Sequence, residues 1–328
     1  MMKKIQLAMI CVATLAASMS TAATTKEFKY EGNPLVRHMY TADPTARVFD
    51  GRLYVYTSHD REDADYFYMT DWHVFSTDDM VNWVDHGAFF SLDDIPWAED
   101  MAWAPDCIKR NKKYYFYYPV ERAKIGVAVS DSPTSGFVDS GKPLVDKTGQ
   151  EELIGPEPID PTTIIHKGQA YIYFGCREFR WAKLKDNMVE LDSPIREMEI
   201  IGNEGDEQNF GGYYGEGPFI FKRKNLFYMM YANGWGPKST LVYATSKDPE
   251  GPFTYQGEFM PPVSSFTSHG SIVEYKGEWY IFYHNKDLSG KDFRRSIAFD
   301  KLYFEKDGSI KMVEPTFGLP QWVAPKKK

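Results

Sequence analysis

The chain contains few of the residues that form metal or redox sites in short local motifs. Among its 328 residues are three cysteines, Cys11, Cys107 and Cys176, and none belongs to a Cys-x-x-Cys pair. The His-Glu-x-x-His and P-loop patterns are also missing, which excludes these familiar zinc and nucleotide signatures. In an exported protein Cys107 and Cys176 could form a disulfide, and two buried thiols are the alternative.

The chain also lacks a basic excess and a hydrophobic run long enough to cross a membrane. Lys and Arg number 38 against 46 Asp and Glu, which gives a net charge of −8 at pH 7 and a pI near 5.5. Because phosphate groups reward basic surfaces, nucleic acid is not an expected partner. The apolar run from Ile5 to about Ala17 is shorter than the roughly 20 residues that a membrane span requires.

That apolar run has the features of a secretory leader instead. A basic start, Met1-Met2-Lys3-Lys4, precedes it, and small and polar residues follow it. We expect cleavage after Ala22, so that residues 1–22 form a signal peptide and residues 23–328 form one domain in the periplasm or outside the cell. No Pro- or Ser-rich linker marks a second domain. We expect a monomer without a membrane partner.

Five aromatic stretches recur at a nearly constant spacing. Their second residues, used here as anchors, stand 61, 56, 56 and 53 residues apart and are Tyr54, Tyr115, Tyr171, Phe227 and Tyr280. Each stretch has high strand propensity and follows a dipeptide suited to a tight turn, such as Asp50-Gly51. A period of 50 to 60 residues is typical of propellers. With no long helical stripe, the sequence predicts an all-β fold, a five-bladed β-propeller with four strands in each blade.

One position of this repeat carries polar side chains in four of the five units. Eleven residues before the anchors stand Asp43, Ala104, Asp160, Glu216 and His269. We call these five residues the polar slot. The inner strands of a propeller surround a central channel, so equivalent positions should meet at one mouth of it. Three carboxyl groups from three blades would then share one cavity.

Three carboxyl groups in one cavity favour glycoside hydrolysis. Carboxylates repel one another and burial disfavours their charged form, so one of Asp43, Asp160 and Glu216 should stay protonated near neutral pH. Acetal hydrolysis needs an acid that protonates the leaving oxygen and a base that activates water. Aromatic residues, 16% of the chain, offer ring faces on which sugars stack.

The segments around the polar slot resemble the motifs of glycoside hydrolase family 43. They are Ala42-Asp43-Pro44, Trp103-Ala104-Pro105-Asp106, Ile159-Asp160-Pro161-Thr162, Gly215-Glu216-Gly217-Pro218 and His269-Gly270-Ser271. The likeness runs from about Asn33 to Pro315 and implies a five-bladed propeller acting with inversion, mostly on arabinose- and xylose-containing polysaccharides. It also implies that Asp43 is the general base, that Glu216 is the general acid, and that Asp160 orients the acid and tunes its pKa.

The resemblance implies two further roles, each with a simpler alternative. It places an arginine near Arg295 in contact with a sugar hydroxyl and with the pKa-tuning aspartate, and a surface salt bridge is the alternative. It places His269 in the channel beneath the site, where this histidine helps to hold a calcium ion, largely through water. A neutral core histidine is the alternative there. No cofactor is required for the chemistry.

Trp103, Asp106, Trp72 and Phe90 are candidates for substrate contacts. Trp103 would flank the sugar, and strand alternation places Asp106 on the same side as the slot. Trp72 and Phe90 lie in long connections, 58–73 and 90–101, which could wall the pocket. Ordinary packing or backbone hydrogen bonding would explain each of the four as well. The acidic run 60–65 lacks the Gly and Glu of an EF-hand, so we expect a solvated loop there.

The sequence thus predicts an exported, inverting glycosidase that removes non-reducing arabinofuranosyl or xylosyl residues from plant-type polysaccharides such as xylan, or from oligosaccharides. Exo action is favoured because the long connections could close one end of the channel. An endo-acting xylanase or arabinanase, or an exo-galactanase, would use the same carboxyl groups. A propeller that binds sugar without catalysis is a further alternative.

Overall fold

The computed structural model describes residues 25–148, 151–203 and 214–318, and the strands in these ranges form five sheets. The predicted signal peptide, residues 1–22, lies outside the described residues. The helical segments in these ranges are a 3₁₀-helix, Leu92–Asp94, and α1, Glu151–Ile154. None of the helical segments described is long and apolar enough to span a bilayer.

Each sheet is one blade, and its long strands pair antiparallel with their neighbours in the chain. The strands are, in blade 1, β1 (Lys26–Lys29), β2 (Tyr40–Phe49), β3 (Arg52–Asp60), β4 (Asp71–Thr77) and β5 (Asn82–Ser91); in blade 2, β6 (Asp106–Arg110), β7 (Lys113–Val120), β8 (Lys124–Ser130), β9 (Val138–Asp139) and β10 (Val145–Asp146); in blade 3, β11 (Thr162–His166), β12 (Gln169–Phe174), β13 (Arg180–Leu184) and β14 (Arg196–Glu197); in blade 4, β15 (Ile200–Ile201), β16 (Phe219–Arg223), β17 (Leu226–Asn233), β18 (Thr240–Ser246) and β19 (Phe253–Met260); and in blade 5, β20 (Gly270–Tyr275), β21 (Glu278–Asn285) and β22 (Ser296–Leu302). The short β1 pairs with β5, and the short β15 pairs in parallel with β19.

The first long strands of the five blades form a closed inner ring. β2 contacts β6, β6 contacts β11, β11 contacts β16, β16 contacts β20, and β20 contacts β2. This arrangement confirms the five-bladed all-β propeller that the repeat predicts. The prediction of four strands in every blade is wrong in detail, because the described part of blade 5 has three strands.

The predicted hairpin turns lie between the two innermost strands of each blade. The residue that opens each turn has a left-handed backbone, with φ between 49° and 53°: Asp50, Asn111, Lys167, Lys224 and Lys276. Such φ values match the turn types that fit the twist of paired strands, so the turn residues chosen from the sequence set the register of the inner hairpins.

Aromatic rings fill the interfaces between neighbouring blades. Between blades 1 and 2, Trp72 and Phe90 both pack against Phe116, with ring centroids 5.5 and 5.8 Å away. Trp72 is 0% exposed and Phe90 is 2% exposed. The prediction that these two residues wall the sugar pocket is therefore wrong, because their rings are used to join blades. Burial of one such ring stabilises the fold by roughly 2–3 kcal/mol.

Asn33 covers the outer edge of blade 5, whose described part has three strands. Its side-chain nitrogen donates to the carbonyl of Phe299 at 3.0 Å, and its side-chain oxygen accepts from the Phe299 amide at 3.1 Å. The Leu35 amide, before β2, also donates to the Ile297 carbonyl of blade 5, and the Thr41 amide, in β2, donates to the Arg295 carbonyl. These bonds satisfy backbone groups at the edge of β22 and tie the first blade to the last.

Asp106 belongs to a hydrogen-bond network inside the channel and does not line the cavity described below. It is 0% exposed. Its carboxylate accepts from Arg47 Nε at 2.9 Å and from Arg47 Nη2 at 2.8 Å, and it also accepts from the Thr163 amide at 2.7 Å. The Arg47 guanidinium lies 5.0 Å from the ring of Phe219. The substrate-contact prediction for Asp106 is wrong, because its oxygens join the first three blades.

Candidate active site

All five residues of the polar slot line one cavity, which has a volume of about 570 Å³. Asp43 is the fourth residue of β2, and the other four stand one to three residues before an innermost strand, so the repeat brings them to the same mouth of the channel. Asp43 and Asp160 have φ values of 53° and 55°, which non-glycine residues seldom adopt. Such backbone strain is often found at functional sites. The predicted convergence of Asp43, Asp160 and Glu216 is thus present in the structure.

Asp43 is held in its ionised form. Its Oδ1 accepts from Arg295 Nη1 at 3.0 Å, and its Oδ2 accepts from Ser58 Oγ at 2.6 Å. Burial alone would raise the pKa of Asp43, but the Arg295 charge, together with the contacts of His284 and His269, outweighs burial and lowers the pKa well below its ordinary value. A carboxylate in this state can accept a proton but has none to give.

His284 lies behind Asp43 as a neutral ring. Burial, and then the Arg295 charge, lower the pKa of His284. Its Nδ1 accepts from the Asp43 amide at 3.1 Å, and its Nε2 lies 3.0 Å from the Thr267 carbonyl. A neutral imidazole with its proton on Nε2 satisfies both contacts. His284 therefore fixes the backbone that aims Asp43 into the cavity.

Arg295 lines the cavity as predicted, but its acidic partners differ from the expected one. The resemblance implies a contact with the pKa-tuning aspartate, Asp160, whereas the guanidinium pairs with Asp43 and Asp60. Asp60 accepts from Arg295 Nε and Nη2, both at 2.9 Å, and from the Arg295 amide at 2.7 Å. Asp60 is only 1% exposed. The expectation of a solvated loop is therefore wrong at Asp60, because β3 extends through this residue and turns it inward.

Glu216 is in the opposite electrostatic state to Asp43. It is partly exposed to the cavity. Two backbone hydrogen bonds fix the chain around it: the Ala232 amide donates to the Glu216 carbonyl at 2.8 Å, and the Gly215 amide donates to the Ala232 carbonyl at 3.0 Å. Loss of solvation raises the pKa of Glu216 to about 8, with repulsion from Asp160 as the next cause and a hydrogen bond from Trp235 opposing both. Glu216 is therefore mostly protonated at neutral pH.

Asp160 lies between Glu216 and His269. Its Oδ2 accepts from the Gly217 amide at 2.9 Å and lies 3.7 Å from His269 Nδ1. Gly217 has a φ of 67°, and a Cβ added there would come within 2.8 Å of His269 Nδ1. Burial lowers the pKa of His269, but the hydrogen bond and charge of Asp160 outweigh it and raise the pKa. Asp160 thus orders the chain that carries Glu216.

Aromatic side chains form the wall of the cavity. The lining rings are Tyr66, Phe67, Trp103, Trp235 and Phe266. Phe67 packs edge-on against Trp103 at 6.4 Å and against Phe293 at 4.8 Å. Trp103 Nε1 donates to the Phe67 carbonyl at 2.8 Å. Trp103 therefore lines the cavity beside the small Ala104, as the sequence predicts. The sequence assigns the rest of the wall to Trp72 and Phe90, whereas in the structure Tyr66 and Phe67 form it.

A charged pair lines the cavity beside Trp103. Arg122 Nη2 lies 2.5 Å from Glu157 Oε1, and the Arg122 guanidinium lies 5.8 Å from the Trp103 ring. Among the other lining residues, the Arg177 guanidinium lies 5.9 Å from the Trp235 ring. These groups offer donors and acceptors to sugar hydroxyls. Sequence reasoning missed them because they follow no repeat position.

Both cysteines of the described ranges are buried and unpaired, so the structure has thiols and not the disulfide alternative. Cys176 lines the cavity near Glu216. Burial, followed by the charges of Glu216, Glu157 and Asp160, raises the pKa of the Cys176 thiol well above its ordinary value. A thiol in this state is a poor nucleophile.

Two missed residues share a second position of the repeat. Ser58 and His284, the partners of Asp43, each stand four residues after an anchor, Tyr54 and Tyr280. They lie on β3 and β21, which pair with β2 of blade 1 and β20 of blade 5. Extending the repeat comparison by these four residues would have revealed both.

Comparisons with known proteins agree with this geometry. The family model described as glycosyl hydrolases family 43 matches residues 31–310. The xylosidase/arabinosidase 43A of Humicola insolens is 34% identical over 335 residues, covering 86% of this chain and 99% of that protein.

Two solved structures are similar over nearly their whole length. A β-xylosidase/α-arabinofuranosidase from a compost microbial metagenome, in complex with xylotriose and in a calcium-free form, is 34% identical with a TM-score of 0.78, covering 89% of this chain and 100% of that chain. The GH43_1 enzyme from Xanthomonas citri complexed with xylose is 34% identical with a TM-score of 0.77, covering 90% of this chain and 94% of that chain.

Proposed function

The chain belongs to glycosyl hydrolases family 43 and is a glycosidase, and from that premise we propose that it removes terminal xylosyl or arabinofuranosyl residues from xylan-type polysaccharides or their oligosaccharides. The xylosidase and arabinosidase names of its relatives support this substrate class. The aromatic wall supports it as well, because ring faces stack on sugars.

One observation carries the proposal: two carboxyl groups of one cavity have opposite electrostatic surroundings. Arg295 keeps Asp43 ionised, and the cavity raises the pKa of Glu216 to about 8. Environments that separate the pKa values of two carboxyl groups assign the acid and the base of a hydrolase. We therefore propose that Glu216 protonates the leaving oxygen and that Asp43 removes a proton from the attacking water.

Asp160 is proposed as the residue that positions and tunes the acid. Its charge is the second cause of the raised pKa of Glu216, and its oxygen binds the amide of Gly217, which follows the acid directly. We propose that Arg295 holds the Asp43 carboxylate beside the bound sugar and donates a hydrogen bond to a hydroxyl of that sugar.

We propose inversion at the anomeric carbon. Asp43 comes from blade 1 and Glu216 from blade 4, so a sugar and a water molecule can lie between them. Inversion needs such a gap, whereas a retaining enzyme brings the second carboxyl group into direct attack. Proton NMR during hydrolysis of a β-xyloside should show α-xylose as the first product, and initial β-xylose would contradict inversion.

We propose exo action because the loop after β3 contributes Tyr66, Phe67 and Met69 to the cavity wall. A loop in this position can close one end of the channel, so that only a chain end enters. Product analysis on xylohexaose distinguishes the alternatives. An exo enzyme releases the monosaccharide from the start, whereas an endo-acting xylanase releases mid-sized fragments. Nitrophenyl arabinofuranoside, xyloside and galactoside, tested in parallel, report the sugar, and turnover of galactoside alone would favour the exo-galactanase alternative.

Replacing the proposed acid tests the assignment directly. Glu216→Gln should lower kcat on xylobiose by roughly 1,000-fold, because general acid catalysis contributes about 10²–10⁴-fold. A dinitrophenyl glycoside, whose leaving group needs no proton, should lose far less. The matched control is Glu178→Gln, which changes an acid that does not line the cavity and pairs with Arg180. Wild-type activity of Glu216→Gln on xylobiose would overturn the assignment.

We also propose export of the enzyme and a calcium ion beside His269. Asp160 is the carboxylate next to His269, so an ion there would take most of its six to eight ligands from water. Such an ion would add positive charge beneath the carboxyl groups. Elemental analysis of the wild type and of His269→Gln tests the ion. N-terminal sequencing of the exported protein tests cleavage after Ala22.

A further inference from the structure

Three side chains with metal-ligating atoms converge on β3 and β4 of blade 1, and none of them lines the sugar cavity. His59, Asp71 and His73 each offer one ligand atom within 4.8 Å of the others. His59 Nδ1 lies 2.7 Å from Asp71 Oδ1, and His73 Nε2 lies 3.4 Å from the same oxygen. Their side chains are 17%, 21% and 12% exposed, so an ion from solution could reach them.

The second ring nitrogens of the two histidines, which would not bind the ion, are arranged as in many metal sites. His59 Nε2 and His73 Nδ1 are buried and have no hydrogen-bond partner. A carboxylate nevertheless stands near each, Glu62 at 4.0 Å from His59 Nε2 and Asp85 at 3.8 Å from His73 Nδ1. Metal-bound histidines usually donate their second N–H to a carboxylate, which fixes the tautomer that ligates.

We propose that His59, Asp71 and His73 bind a divalent transition-metal ion of the zinc type, with water as the fourth ligand. Two imidazoles and one carboxylate suit zinc better than calcium or magnesium, which prefer oxygen ligands. The separation of 3.4 Å between His73 Nε2 and Asp71 Oδ1 is close to that of two ligands on a tetrahedral zinc ion. Binding would displace the proton that His59 and Asp71 share.

The position of this site gives it a consequence for the cavity wall. His59 lies at the end of β3 and Asp71 at the start of β4, so the ion would join the two ends of the loop 61–70. That loop supplies Tyr66, Phe67 and Met69 to the cavity. Asp60, which follows His59, holds Arg295. An ion there would therefore fix the positions of the cavity wall and of Arg295 relative to each other. This link to catalysis rests on the proposed function, whereas metal binding itself does not.

Metal content after treatment with a chelator and reloading with zinc chloride tests the site. The background is His269→Gln, so that the channel histidine contributes no metal. We expect one zinc per chain, its loss in His73→Gln and in Asp71→Asn, and its retention in the control His86→Gln. His86 lies in the same blade but bonds to Ser76 Oγ at 2.7 Å. Asp85→Asn, which changes no proposed ligand, should weaken zinc affinity about 10- to 100-fold.

If those variants do not fold, two measurements on protein that keeps His59, Asp71 and His73 still test the proposal. Cobalt should give the visible absorption of a tetrahedral site, and zinc should slow hydrogen exchange in the loop 61–70. The proposal is overturned if the His269→Gln background retains no zinc, or if His73→Gln folds and retains the same amount. Neither result depends on which sugar is hydrolysed.

Discussion

Arg295 donates a hydrogen bond of 3.0 Å to Asp43, although the two residues stand 252 positions apart in the chain. The same guanidinium binds Asp60 through two further nitrogens, both at 2.9 Å. One cation thus neutralises part of the charge of two buried carboxylates. The arrangement keeps Asp43 ionised while Glu216, in the same cavity, retains its proton.

Asp60→Asn should weaken both the fold and the catalytic site. Removing one partner of a buried ion pair typically costs about 3 kcal/mol. Arg295 would also lose the contact that orients it, and a displaced catalytic group costs roughly 100-fold in rate. We therefore expect a lower unfolding midpoint in urea and a kcat/KM lower by roughly 100-fold.

Asp63→Asn is the matched control, because Asp63 belongs to the same acidic run but is exposed and bonds only to Arg61 among the described residues. It should leave both the midpoint and kcat/KM unchanged. Equal effects of the two substitutions would show that the charge of the loop matters and that the contact with Arg295 does not.

The pH profile of kcat/KM should fall on its alkaline side near pH 8. Glu216, with its pKa raised to about 8, must be protonated to act as the acid. The acidic limb should lie below pH 3.8, because the pKa of Asp43 is lowered from that ordinary value. With a dinitrophenyl glycoside, whose leaving group needs no proton, this alkaline limb should be absent. Persistence of the limb with that substrate would assign it to another group.

Glu216 should also make the wild type less stable as pH rises. Between its ordinary pKa of 4.5 and about 8, the folded protein binds more protons at Glu216 than the unfolded chain does. The free energy of unfolding therefore decreases across this window. Glu216→Gln cannot ionise, so it should exceed the wild type in stability by on the order of 4 kcal/mol at pH 8 and by little at pH 4.5. Urea unfolding at both values checks this, and a constant difference would contradict it.

The fold was predictable because its determinants are local and repeated. Turn residues such as Asp50-Gly51 set each inner hairpin, and the aromatic strands recur at blade spacing. Equivalent positions in a repeat occupy equivalent places, so the meeting of Asp43, Asp160 and Glu216 followed from spacing alone. The failed prediction of four strands in blade 5 has a non-local cause, because Asn33 satisfies the edge of that blade from the far end of the chain.

The partners of the slot residues could not be predicted in the same way. Period-2 alternation placed Asp106 toward the cavity, but the strand begins at Asp106 itself and its carboxylate turns to Arg47. Trp72 and Phe90 were assigned to loops, whereas β4 and β5 include them and bury their rings between blades. Composition cannot separate a ring that stacks on sugar from a ring that joins blades, because both are apolar and both are enclosed.

Trp235→Phe should move the alkaline limb to higher pH. The hydrogen bond from Trp235 stabilises the ionised form of Glu216 and so lowers its pKa. Without that donor, the pKa should rise by about 0.5–1 unit, the equivalent of one ordinary hydrogen bond. The control is Trp103→Phe, which removes an indole of the same cavity whose donor binds the Phe67 carbonyl instead. A shift of the same size in both variants would indicate a general effect of the cavity wall.

Asp106→Asn should reduce stability without changing substrate affinity. The substitution leaves the Arg47 guanidinium without its anionic partner in the channel, and breaking a buried pair in this way costs about 3 kcal/mol. The double variant Arg47→Met/Asp106→Leu removes both charges and should recover much of that loss, because well-packed apolar residues can replace a buried ion pair. Denaturant midpoints, with KM measured on the folded fraction, check both statements. A tenfold higher KM in Asp106→Asn at an unchanged midpoint would return Asp106 to the sugar site.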